Sequence, residues 1–318
     1  MRFPHESIFQ ISFHDFPCRK INQKQNLKME KSRLFKTRTF LLCLPLLIFA
    51  SCDKGPEGYG PEKDGMLEFD AAVSAVTRST IDWTDFKCDF EPGDAIGVFA
   101  APHGSPLAAS GNYASNVKLV KQADGSWSYA DEDQAIFFPA GGVTLDIYAY
   151  YPYAEAVPNP LALAFDAGTD QSAGAPDSEL MWAKEENVAE AGNQVRLQFG
   201  HVFSMLQLEV SPAADSAIDV EKITYMDVKL NGLKSAVSFN IGDGTASLSG
   251  DAVRIRMERK SGSRLFRALV PVQDVVAGSI LFSCTVGQES GYTQFNYDAA
   301  PNTVLASGVV KLYDVKLP

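Results

Sequence analysis

The chain reads as an all-β protein, with two β-sandwiches in tandem behind an export leader. Three observations carry that reading. Apolar and polar residues alternate with the two-residue period of strands along most of residues 66–317. Turn residues interrupt the alternation roughly every 8–12 positions, the punctuation of a sandwich. After the leader, no stretch holds a helical period over a dozen residues.

The elements follow in order. Met66–Val73 alternates as a first strand, and Asp94–Ala100 follows the turn Glu91-Pro92-Gly93. Asn116–Lys121 and Asp124–Tyr129 read as a hairpin, because Asp124-Gly125 supplies the positive φ that a tight turn needs. Ala135–Pro139 and Val143–Tyr153 come next, split by Gly141-Gly142. A polar stretch around Ala189–Asn193 marks the boundary, giving sandwiches over 66–192 and 193–318. Past it, Gln194–Val210 alternates without a break. Eight shorter strands follow, the last being Val309–Leu317.

The leader is basic and then apolar. Lys31, Arg33, Lys36 and Arg38 precede an 11-residue apolar core from Phe40 to Ala50, too short to span a bilayer. Met29 reads as the start, because residues 1–28 have no export logic of their own. Ala50-Ser51-Cys52 closes residues 1–51 as a lipoprotein signal, in which Cys52 would be acylated and become the first mature residue. Residues 52–65, rich in Gly, Pro and charge, read as a tether.

Charge excludes one class of partner. The net charge of −11 hides nine Lys/Arg against three acids within residues 1–51, leaving 19 basic and 36 acidic residues beyond. A surface that acidic repels phosphate backbones, so nucleic acid is not expected as a partner. Cys88 and Cys284 are the two cysteines beyond the tether, and spacing leaves their pairing open.

Chemistry-bearing motifs are sparse. His103, in a Gly/Pro loop, and His201, in an alternating strand, are the two histidines beyond the leader. Neither sits in a nucleophile elbow, and no phosphate-binding loop is present. Asp131-Glu132-Asp133 lacks the alternating ligand spacing of a calcium loop and reads as a solvated turn. No enzyme, cofactor or metal is expected. Tyr148 and Tyr150 should share one face as core beside Ile136 and Phe138. Tyr151 and Tyr153, with Trp127 and Trp182 nearby in the count of aromatics, leave glycan binding as the competing function.

Several of these segments, in their order and spacing, resemble the fimbrillin (type V pilin) family: Gly93–Phe99, Ile136–Pro139, Val143–Tyr153, Glu179–Ala183, Val195–His201 and the closing Leu305–Leu317. The resemblance spans residues 66–317. It implies transthyretin-like β-sandwiches, a lipid anchor in the outer membrane, and a place in a surface fimbria. It also implies that a trypsin-like protease cuts after an Arg beyond the tether, for which Arg78 is suitably placed. The first strand would then leave, and other subunits would fill the vacated groove by strand exchange. Val309–Leu317 is the expected donor, with Val309, Leu312, Val315 and Leu317 as its apolar residues. Whether the chain is a stalk, anchor or tip subunit stays open.

Overall fold

The computed structural model describes residues 65–74, 89–174, 179–192, 194–301 and 303–318. Among them the first half forms strands β1 (Glu68–Val73), β2 (Ala95–Pro102), β3 (Ala114–Lys121), β4 (Trp127–Tyr129), β5 (Leu145–Tyr151), β6 (Leu163–Asp166), β7 (Met181–Val188) and β8 (Gln194–His201). The second half adds β9 (Ser204–Pro212), β10 (Tyr225–Leu233), β11 (Ala236–Asn240), β12 (Thr245–Ser249) and β13 (Val253–Arg256). It closes with β14 (Glu258–Arg259), β15 (Leu265–Val270), β16 (Ile280–Gln288), β17 (Gly291–Asp298) and β18 (Val310–Leu317). The fold is all-β, as the alternation requires.

Seven strands make one sheet in the order β1-β8-β7-β5-β2-β3-β4. The sheet rolls until its two ends meet. The Leu67 amide donates to the Ile136 carbonyl (2.9 Å), the Phe138 amide to the Gly65 carbonyl (2.8 Å), and the Tyr129 hydroxyl to the Leu67 carbonyl (2.9 Å). Rolling puts one face of every strand into a single core, where Leu67, Phe69, Ile96, Ile147, Leu197 and Phe199 are buried together. The hairpin β3–β4 forms as expected, with Gly125 at φ 92° and Ser126 donating its amide to the Asp124 carboxylate.

The other face of β2 and β5 is covered by a small sheet, ordered β12-β11-β6. Tyr148 and Tyr150 do share a face, but their neighbours are Phe99, Leu163 and Phe239, not Ile136 and Phe138. Ile136 sits in the rolled core on the opposite side. The expected grouping failed because alternation says which residues share a face and not what lies across from it. Gly97 is required here: a Cβ at that position would run into the Tyr150 ring lying across β2.

A separate core lies between the sheets β13-β10-β16-β17 and β14-β15-β9-β18. Leu208, Val228, Leu230, Phe266, Phe282 and Leu317 meet there. The unbroken alternation of Gln194–Val210 conceals a change of sheet. The strand β8 pairs with β1 and β7, and after Val202-Phe203 the strand β9 pairs with β15 and β18. A boundary at 192/193 therefore falls inside the hairpin β7–β8. The chain passes between cores about ten residues later, where burial of Phe203 on the small sheet's side turns it. One strand from the first half, β6, pairs antiparallel with β11 from the second.

Candidate functional site

The strand that best fits a functional role is the one closing the rolled sheet. Along β1 the side chains of Phe69 and Ala71, preceded by Leu67, point into the core, while Glu68, Asp70 and Ala72 face solvent. Its backbone pairs with β8 alone, and in parallel: Phe69 lies beside Val195, Asp70 beside Arg196, Ala71 beside Leu197 and Val73 beside Phe199. On its other side, among the described residues, β1 is held at its start, by the bonds to Ile136, Phe138 and Tyr129 and by the Phe69–Tyr129 ring contact at 6.0 Å. Burial pushes the Tyr129 phenol up to about 12, so its hydroxyl stays a donor at all physiological pH.

At the far end the Ser74 amide donates to the Phe199 carbonyl at 2.7 Å. The chain is next described at Asp89, and Phe90 then packs edge-on against Trp127, Tyr151 and Phe199 at 5.1–5.5 Å. Arg78 and Cys88 fall between, outside the described residues, as do the leader, Cys52 and all but the last residue of the tether. Without β1 the apolar side chains of β8 would lose their neighbours, and one edge of β8 would be left unpaired. Each Leu- or Phe-class side chain buried there contributes about 1.5–3 kcal/mol, so an empty groove is strongly disfavoured.

The closing strand β18 mirrors β1. It too is a sheet-edge strand pairing in parallel with a single partner, β9. Its inward residues are Tyr313, Val315 and Leu317, with the Tyr313 ring 4.8 Å from that of Phe282. Leu312 is not among them. The expected apolar set of Val309, Leu312, Val315 and Leu317 breaks the two-residue period between 312 and 315, and Val310 packs with Met205 and Leu269 on the outer face instead. The lead into β18 is tied to the corner after β8: the Ser307 hydroxyl donates to the His201 carbonyl, and the Gly308 amide to that of Phe203.

Other residues singled out above take structural places. The His201 imidazole is buried against the Glu179 carboxylate at the end of β8. His103 Nδ1 lies 2.7 Å from Asp146 Oδ1, and the same carboxylate accepts the Asn187 amide. Burial alone would raise the Asp146 pKa, but the Asn187 amide and His103 outweigh it and hold the carboxyl below its ordinary value. Asp131 caps a short 3-10 turn by accepting the Asp133 amide, so the acidic run stabilises a turn. In the aromatic group, Tyr150, Tyr148 and Trp127 are buried, the Trp182 indole donates to the Ile241 carbonyl, and Lys118 lies over the Tyr153 ring. Cys284 points into the C-terminal core, where burial pushes its thiol up to about 12.

The family model described as fimbrillin-like matches residues 77–318. The chain belongs to that family. Among curated relatives, a protein of Bacteroides uniformis named as fimbrium subunit Fim1C is 25% identical over 213 residues, covering 65% of this chain and 67% of its own length. Two solved structures named as cell adhesion proteins share the fold. One, from Bacteroides uniformis, is 23% identical with a TM-score of 0.59 and covers 80% of this chain and 95% of its own. The other, from Bacteroides ovatus, is 19% identical with a TM-score of 0.60, covering 79% and 91%. In this fimbrillin-like chain β1 and its groove, read from the strand pattern, are the site described in full. The parallel pairing of β1 with β8 had no signal in the sequence, since alternation is the same for either direction.

Proposed function

We propose that this fimbrillin-like chain is a structural or adhesive subunit of a bacterial surface fimbria, delivered to the outer membrane on a lipid at Cys52. In this reading the two principal cores are two tandem transthyretin-like sandwiches, with β8 belonging to the first. Cleavage after Arg78 releases β1, and other subunits fill the groove by strand exchange. One observation carries the reading: among the described residues β1 pairs along its length with β8 alone and is bonded on its other side only where the chain enters it, yet this segment fills the core with Leu67, Phe69 and Ala71. Arg78 stands four residues beyond Ser74 in the sequence, so a cut there would leave β1 wholly on the released piece. The fimbrium subunit Fim1C and the cell adhesion proteins are relatives in keeping with it. Glycan binding is the weaker reading, since of the aromatics that left it open Trp127 is buried, Tyr151 packs edge-on against Phe90 and Lys118 lies over the Tyr153 ring.

The test is direct. A trypsin-like protease should cut the purified chain after Arg78 and convert monomer to ordered oligomer, while Arg78→Ala stays monomeric. A verified cut that leaves only monomer would remove the stalk-type role. Separately, Cys52→Ala should release the protein from the membrane fraction, and a mutant still labelled with lipid would refute the anchor.

A further inference from the structure

The sheet β13-β10-β16-β17 turns one face to the C-terminal core and the other away from it. Met226, Val228, Cys284 and Phe295 pack on the core side, so alternation sends their sequence neighbours outward. There the strand register sets the side chains in rows. Tyr225, Gly287 and Tyr292 make the first row. Gly287 is required, because a Cβ would stand 2.8 Å from the Tyr292 ring and 2.9 Å from Tyr225 Cβ. The Tyr292 ring therefore lies across the middle strand, meets the Tyr225 ring edge-on at 5.5 Å, and is 75% exposed. Covering a glycine accounts for an aromatic ring at this place. It does not account for what stands beside the ring.

Asp227, Thr285 and Gln294 make the second row, and Lys229, Ser283 and Asn296 the third, extended by Arg256 on β13. A chain of hydrogen bonds fixes the amides. Asn231 Nδ2 donates to Ser283 Oγ at 3.0 Å, and Asn296 Oδ1 accepts both the Ser283 hydroxyl and the Gln294 amide at 2.9 Å. Among the described residues, the Asn296 amide protons and the Gln294 carbonyl are left without a protein partner. The charges on the rows balance: Asp227 is held by Arg256 Nε at 2.6 Å and by Lys229 at 3.7 Å, with Asp170 3.8 Å from Arg256. None of the three rows carries an aliphatic side chain, so the apolar core of a protein interface has nothing to pack on here. An exposed ring beside fixed amides, with charge balanced, fits a neutral sugar, whose C–H groups stack on an aromatic face and whose hydroxyls both donate and accept.

Resting on the adhesive arm of the reading above and not on strand exchange, we propose that this outer face binds a neutral oligosaccharide, one ring stacked on Tyr292 and the next bonded to Gln294 and Asn296. Successive rows stand about 7 Å apart along the strands, so stacked and bonded units are neighbours in one glycan. The face is distinct from the aromatics of the N-terminal half and from the groove of β1.

The test passes the labelled, uncut chain over an array of neutral and acidic oligosaccharides, then titrates the strongest neutral ligand in solution by calorimetry. Tyr292→Ala should weaken that binding about ten-fold, the scale of one anchoring ring truncated, whereas Tyr292→Phe keeps the ring and should bind as the parent does. Asn296→Ala should weaken it about five-fold, the scale of one hydrogen bond lost. Unchanged melting temperatures separate lost binding from lost fold, and if Tyr292→Ala melts lower, Asn296→Ala and Tyr292→Phe carry the comparison. An array that captures the chain on no neutral glycan, or binding that Tyr292→Ala and Asn296→Ala both leave intact, overturns the proposal. Neither result touches strand exchange, which stands or falls on the cut after Arg78.

Discussion

The two principal cores bury similar side chains but are closed differently. In the N-terminal core one sheet rolls on itself, so β1 is the seam: it touches β8 on one side and Tyr129 and Ile136 on the other. In the C-terminal core two four-stranded sheets face one another, and β18 is simply an edge. Loss of a seam opens a core along its length, whereas loss of an edge strand shortens one layer. The seam is therefore where a removable strand has the greatest structural consequence and an incoming strand the greatest gain.

Truncating matched residues of the two strands should expose this contrast. Phe69→Ala in the uncut chain should cost about 3 kcal/mol, within the usual range for a buried Phe. Tyr313→Ala should cost distinctly less, because its ring is only half-buried at the sandwich rim. Urea unfolding of the two variants makes the comparison, and equal losses would mean that β1 is no more a seam than β18.

A change at the centre of the rolled sheet should be nearly as severe. Gly97→Ala places a methyl group against the Tyr150 ring, which is pinned by donating its hydroxyl to Asn116 Oδ1 (2.8 Å) and by accepting the Ala154 amide. A loss of about 1–3 kcal/mol is expected from overpacking, and pairing it with Tyr150→Leu should recover part of it. Full additivity in the double-mutant cycle would show that ring and glycine do not meet.

The smallest effects should come from two carboxylates at opposite ends of the same sheet, and they should have opposite signs with pH. Asp146 has a lowered pKa, so its contribution is fully present above the ordinary carboxylate pKa near ~4 and is lost as pH falls through the lower folded value. Asp94 has a raised pKa, burial being the largest cause, so its contribution is greatest below ~4 and is lost as pH rises through the raised value. Asp146→Asn should therefore be destabilising at neutral pH and nearly silent in acid. Asp94→Asn should lose less at neutral pH than Asp146→Asn, since an amide oxygen can still accept the Glu91 amide. Stability measured from pH 3 to 7 decides both, and parallel profiles for the two variants would contradict the assignment.

Much of this was legible in the residues themselves. The strands β1, β2, β5, β15 and β18, the hairpin at Asp124-Gly125 and the inward set Leu67, Phe69 and Ala71 follow from alternation and turn chemistry. The strand β6 was missed because Leu163–Asp166 is only four residues long, and Ala135–Pro139 shrinks to a single bridge between Met66 and Phe137. The passage from β8 to β9 was hidden because a strand that turns a corner into a new sheet keeps its two-residue period.

The sequence by itself determined the class of the protein, since a two-residue period can be satisfied only by pleated strands with one face buried. It also set which side chains β1, β2 and β5 turn inward. Only the tertiary structure decided which strands became neighbours: β1 parallel to β8, β6 beside β11, and β18 parallel to β9. The physical reason is that facing is a local property, repeated every two residues, whereas pairing joins segments far apart in the sequence. The pairing is settled by how whole faces fit together, and in β1 and β18 that fit sets one Asp beside Arg196 and the other beside Glu209.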